Sequence, residues 1–100
     1  MIRGTTPTHI FETSISLAEA SEIYVTYKQG KRKIEKSIED LISVTDTEIT
    51  VELSQLETLE FASGGYKAQV QIRAMLPGDK AVASNIMEVD VCPILKEGVI

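Results

Sequence analysis

One hundred residues with 43% hydrophobic and 25% charged content suffice for one globular domain with a single modest core, and they exclude a disordered chain. A net charge of −5 and a pI near 4.8 argue against a general nucleic-acid binder, and the single cysteine, Cys92, rules out an intramolecular disulfide. One Cys and one His leave a structural zinc short of its usual ligands, and no apolar run is long enough to span a membrane.

The opening Met1-Ile-Arg-Gly-Thr-Thr-Pro7 lacks the apolar stretch of a secretory signal, which with the lone cysteine points to a reducing cytoplasm. Thr6 to Glu12 reads as an entry strand. Pro7 has no amide to donate, which places this strand at a sheet edge or leaves it as an extended arm, with residues 1–6 as a candidate flexible arm. Ser14 to Ser21 reads as a loop or a single turn. Glu22 to Lys28 alternates cleanly, with Ile23, Val25 and Tyr27 on one face and Tyr24 and Thr26 on the other. Gln29-Gly-Lys31 is a tight turn, and Arg32 to Ile38 returns as the antiparallel partner, its Lys and Glu suiting an exposed edge. Glu39 to Asp46 fits either a short strand or a packed loop.

From Thr47 the alternation returns, with Ile49, Val51 and Leu53 on one side. Ser54 and Glu57 form a Ser-x-x-Glu capping box that opens a short helix over about residues 54–62, from which Leu56 and Leu59 face the core. Gly64-Gly65 suits the end of that helix. Tyr66, Ala68, Val70, Ile72, Ala74 and Leu76 then line one face of a long strand, with Lys67, Gln69, Gln71 and Arg73 on its wet side. Pro77-Gly-Asp79 is a turn. Ala81 to Val91 is the last strand, with a bulge where the alternation slips between Ile86 and Met87, and Pro93 ends it before a tail at 96–100. Six or seven short strands with one helix and tight loops describe an all-β, immunoglobulin-like antiparallel sandwich.

The pattern for chemistry is sparse. His9 is the only base of its kind for a nucleophilic triad, Cys92 has no flanking cation and reads as a buried inert thiol, and the carboxylates show no metal-loop spacing. The glycines carry no phosphate-loop pattern. The chain therefore reads as a non-enzymatic protein that needs no cofactor and no small-molecule substrate. Its charge is uneven: Lys28, Lys31, Arg32, Lys33 and Lys36 against Glu35 give one nine-residue segment +4 and leave −9 for the rest. That distribution is either a solvated hairpin tip on a solvated acidic body or a dipolar module whose basic hairpin meets an acidic face on a second copy or another protein. Lys31, Arg32 and Lys33 are the first candidates for partner contact, with Thr5, Thr6, Thr8 and His9 second. The same cluster beside Tyr24 and Tyr27 offers phosphate contacts and stacking, but an inward Tyr27 and the −9 remainder oppose a nucleic-acid role.

Several stretches resemble small proteins encoded in prophages of Gram-positive bacteria. They are the opening Met1-Ile-Arg-Gly-Thr-Thr-Pro-Thr-His-Ile-Phe11, Ile23-Tyr-Val-Thr-Tyr-Lys-Gln29, Leu53-Ser-Gln with Thr58-Leu59 and Phe61, Val70-Gln-Ile-Arg73, Ala83-Ser-Asn-Ile86 and Leu95-Lys-Glu-Gly-Val-Ile100. Together they cover nearly the whole chain. More loosely, a strand, a capped turn, a glycine and an alternating strand are similar to N-terminal β-sandwich domains of phage baseplate proteins. The resemblance implies a phage-encoded, non-catalytic protein of the tail or baseplate region, made in the bacterial cytoplasm and carried in the virion or acting beside it, with itself or another phage structural protein as partner. A phage-encoded adaptor or inhibitor of a host protein is the alternative, and a nucleic-acid accessory protein a third class. No catalytic residue carries over from the resemblance.

Overall fold

Ile23, Val25 and Tyr27 lie fully buried along one side of an eight-residue strand, and Ala68, Val70, Ile72 and Ala74 answer them from the strand beside it. This doublet is the centre of the fold. The computed structural model describes residues 1–100, in the order β1 (Thr8–Glu12), β2 (Glu22–Gln29), β3 (Arg32–Ser37), a 3-10 turn (Ile38–Asp40), β4 (Ser43–Val44), β5 (Glu48–Glu52), α1 (Gln55–Leu59), β6 (Ala68–Leu76), β7 (Lys80–Ala83) and β8 (Met87–Val89). The strands form two antiparallel sheets. One is β1-β5-β4; the other runs β3-β2-β6, with β7 and β8 both paired to the far side of β6.

The sheets close on each other around one core. Ile49 and Val51 from the small sheet and Leu53 just beyond it share this core with the β2 and β6 residues of the large one, and Leu17, Phe61 and Val91 join it from the connecting segments. Tyr27 bridges the layers: its ring centroid lies 5.7 Å from His9, 6.3 Å from Phe11 and 6.4 Å from Phe61. With only five Phe, Trp and Tyr residues in the chain, three such ring contacts make Tyr27 the hub of a mostly aliphatic core. This is the all-β sandwich expected from the alternation.

Several local expectations change. The capping box is present, with the Glu57 amide donating to Ser54 Oγ at 3.1 Å and the Ser54 amide to Glu57 Oε1 at 2.8 Å. The helix is shorter than the expected 54–62, however, and it is rotated: Leu56 is 69% exposed while Thr58 and Phe61 are buried. The inward pair at i, i+3 spacing is thus Thr58 and Phe61, not Leu56 and Leu59. Thr58 tolerates burial because its one hydroxyl proton is shared between Thr5 C=O at 2.9 Å and Gln55 C=O at 3.1 Å. The Glu60 amide reaches back to Glu57 C=O, so the last turn tightens and Gly64-Gly65 fall in the following loop rather than at the helix end. Tyr66 lies in that loop and is 73% exposed, since β6 begins at Ala68.

The ambiguous segment 39–46 divides into the 3-10 turn and the two-residue β4. The expected final strand is broken at Ser84–Ile86 into β7 and β8. Ser84 holds the break: its Oγ accepts the Ile72 amide at 3.0 Å, and its own amide donates to Ile72 C=O at 2.8 Å. Cys92 is exposed, not buried. Val91 points into the core, so the next residue along the extended chain points out.

Candidate interaction surface

The hairpin β2–β3 ends on a two-residue loop, Gly30-Lys31. Gly30 has φ +61° and no atom near its missing Cβ, the geometry of a type II′ turn with glycine first. Lys31, Arg32 and Lys33 therefore project from the tip, all exposed. Lys33 reaches Glu35 only loosely, at 3.8 Å with both side chains about half exposed, a pair of little energetic weight.

Below the tip the sandwich end is tied down by a buried amide. Gln29 is 6% exposed; its Nε2 donates to Ala62 C=O at 2.8 Å and Tyr66 C=O at 3.2 Å, and its Oε1 accepts the Ala62 amide at 2.7 Å. One side chain thereby takes the place of a missing strand partner for the 62–66 loop. Arg3 approaches the same loop from the N-terminal segment. Its Nε donates to Phe61 C=O at 2.6 Å and its Nη2 to Leu59 C=O at 3.3 Å, so the cation caps the carbonyl end of α1. Between Arg3 and Arg32 runs an open groove of about 640 Å³, lined by Leu56, Leu59, Glu60 and residues 61–63.

The two expected groups of contact residues separate in space and in role. Lys31, Arg32 and Lys33 are together at the tip. Thr5 is held within the chain: its Oγ1 donates to Ile2 C=O at 2.6 Å and its carbonyl receives Thr58. Thr6 and Thr8 are exposed, Thr8 on the outer face of β1. His9 points inward, with Nδ1 at 2.7 Å from Tyr27 Oη. Burial, and then the Met1 ammonium, lower the His9 pKa, so the ring is neutral at physiological pH. Burial, then the charge of Glu57, pushes the Tyr27 phenol above its ordinary value, which keeps it a hydroxyl. Burial raises the Glu57 pKa as well, but hydrogen bonds from Lys36 and from the Ser54 amide outweigh it and hold the carboxyl below its usual range. Lys36 Nζ sits 2.9 and 2.8 Å from the two Glu57 oxygens.

The chain termini frame the same end. Ile2 bridges Cys92, the Met1 ammonium donates to Asp90 C=O at 2.8 Å, and Gln55 exchanges two hydrogen bonds with the Ile100 backbone. Sequence reasoning missed Arg3, Gln29 and Leu56 as parts of this surface. Only tertiary folding brings residues 3, 29–32 and 56–63 together, and no local pattern announces it. No three His, Cys, Asp or Glu side chains converge as a metal-binding set, and no helix is long and apolar enough to cross a membrane. Comparison with known families, characterised proteins and solved structures returns no match for this chain.

Proposed function

We propose that this chain is a non-catalytic assembly module that works through protein–protein contacts, of the kind a phage tail or baseplate region uses. The observation that carries the reading is the groove between Arg3 and Arg32, with Leu56 69% exposed on its wall and a tip of three exposed cations above it. An apolar anchor inside a charged rim is how protein interfaces are built. The resemblance to prophage-encoded proteins supplies the setting: synthesis in the bacterial cytoplasm and a structural partner, either a second copy or another virion protein. A phage-encoded adaptor docking a host protein would use the same groove. A nucleic acid fits less well, because Glu60 lines the groove and Glu12, Glu48 and Glu52 spread over the small sheet.

The test has two parts. Particles purified after induction of the phage should contain the chain by mass spectrometry. Replacing Lys31, Arg32 and Lys33 together by Glu should abolish association with the partner and leave the melting temperature unchanged. Association undiminished by the triple substitution, together with particles free of the chain, would defeat the proposal.

A further inference from the structure

Two cross-strand pairs in this sandwich place like charges opposite one another, an arrangement that weakens a sheet. Glu12 faces Glu48 across β1–β5, and Lys28 faces Lys33 across β2–β3. Glu12, Glu48 and Lys28 have no ion-pair partner in the chain, and Lys33 has only the loose contact with Glu35. Each pair includes a residue of an edge strand, because β1 ends the small sheet and β3 ends the large one.

The edges differ in how they are protected. Strand β4 is two residues long, the β7/β8 edge is broken at Ser84–Ile86, and β3 carries Arg32, Lys33, Glu35 and Lys36. Strand β1, Thr-His-Ile-Phe-Glu, has no cation, no proline and no bulge, and its Ile10 is 61% exposed. Its ladder to β5 is bracketed by Leu53 N–H to Pro7 C=O and Thr13 N–H to Thr47 C=O. Antiparallel bonding alternates, so the amides and carbonyls of Thr8, Ile10 and Glu12 point away from β5. No group of the chain bonds them. By the same alternation from the Gly30-Lys31 turn, Lys33, Glu35 and Ser37 point their backbone groups away from β2, and the Ser37 amide is already taken by Asp40.

We propose that β1 of one molecule pairs antiparallel with β3 of a second copy, with Glu12 opposite Lys33, Ile10 opposite Glu35 and Thr8 opposite Ser37 of that copy. The inference rests on the assembly reading above and names its partner. In this register Glu48 and Glu12 continue in one row with Lys33 and Lys28 of the second copy, so each like-charge pair meets its opposite. Phe11 comes opposite Ile34 of the second copy on the inner side, and both are half-buried in the single chain. Because β1 and β3 are different edges, the contact is heterologous, and repetition yields a ring or a filament.

The test is sedimentation velocity over a concentration series at low and high salt. The wild-type chain should associate at low salt and dissociate as salt screens the row. Ile10→Pro removes an outward amide and leaves the β1–β5 ladder intact, so it should weaken association about tenfold or more while the chain stays folded. Glu12→Lys and Lys33→Glu should each weaken it about tenfold, and the double substitution should restore it. A double variant that stays dissociated refutes this register. Association that rises with salt overturns it in favour of a two-fold β1–β1 contact, where the glutamates of two copies crowd one face. If the triple Glu variant at the tip loses association while Ile10→Pro does not, edge pairing falls and the assembly module stands. A chain that is monomeric throughout the series also overturns the edge pairing; its absence from purified particles would defeat the module as well.

Discussion

Replacing Gln29 with Leu should lower stability by about 2 kcal/mol, far more than a polar-to-apolar change usually costs at a strand end. The native side chain is 6% exposed and makes three hydrogen bonds, two to Ala62 and one to Tyr66. At about 0.5–1.5 kcal/mol net for each bond, the loss spans roughly 1.5–4.5 kcal/mol, and re-solvation of the half-exposed 62–66 loop places it toward the lower part. For a domain of this size that corresponds to a fall of about 8–16 °C in melting temperature. Gln29→Glu should be worse at neutral pH. Its carboxylate keeps an acceptor for the Ala62 amide but faces the Ala62 and Tyr66 carbonyl oxygens with no proton to share. Gln71→Leu is the control, because its amide makes one bond, to Ser84 C=O at 3.1 Å on the wet face. Urea unfolding with matched m-values gives the three numbers directly. If Gln29→Leu falls within about 0.5 kcal/mol of Gln71→Leu, Gln29 is not the clamp that its geometry indicates.

Val70→Asp should leave no cooperative transition in circular dichroism, because it puts an unpaired charge at a fully buried site, whereas Gln71→Asp should stay folded. Gly4→Ala should destabilise by about 1–3 kcal/mol in urea unfolding, chiefly because φ is +74°, while the new methyl at 2.8 Å from Ile94 Cδ1 is relieved by a shift of that side-chain end. The depressed pKa of His9 makes the unfolded chain the stronger proton binder, so its contribution is present above the ordinary value of 6.5 and is lost as pH falls through the lower folded value. Melting temperature should therefore decline from about pH 7 toward pH 5, and His9→Gln should flatten that slope; parallel slopes would refute the assignment.

The fold was legible because its strands state their burial at period two. Ile23, Val25, Tyr27, Ile49, Val51, Leu53 and the run from Ala68 to Ala74 are buried as the alternation requires. What misled was phase rather than period. In 54–61 the apolar residues Leu56 and Leu59 have the right spacing for a buried helix face, yet the buried pair is Thr58 and Phe61, because a threonine whose hydroxyl is hydrogen-bonded to backbone carbonyls can be buried without an unmet polar group. The interaction surface was half legible. The tip cations stand in one continuous stretch that turn chemistry exposes. The groove depends on Arg3, which lies 29 positions before Arg32 and joins it only once Gln29 has drawn the 62–66 loop beneath the hairpin. Composition records charge but not such convergence.

The hydrogen-bonded polar side chains at that end share one consequence. Gln29, Arg3 and Thr58 bond loop or helix carbonyls, and Gln55 fixes the chain terminus, so the groove walls are hydrogen-bonded to three separate parts of the chain. Lys31 and Arg32, by contrast, make no ion pair or side-chain hydrogen bond with the body. A rigid groove under free cations divides the work of association. The walls lose little conformational freedom when covered, and the exposed, unpaired charges contribute mainly to encounter, which speeds capture more than it strengthens the complex. Substitution of Lys31 and Arg32 should therefore act chiefly on the association rate, and Leu56→Ala chiefly on dissociation. Surface plasmon resonance with the partner immobilised separates the two, and equal effects on both rates would show that tip and groove act as one contact.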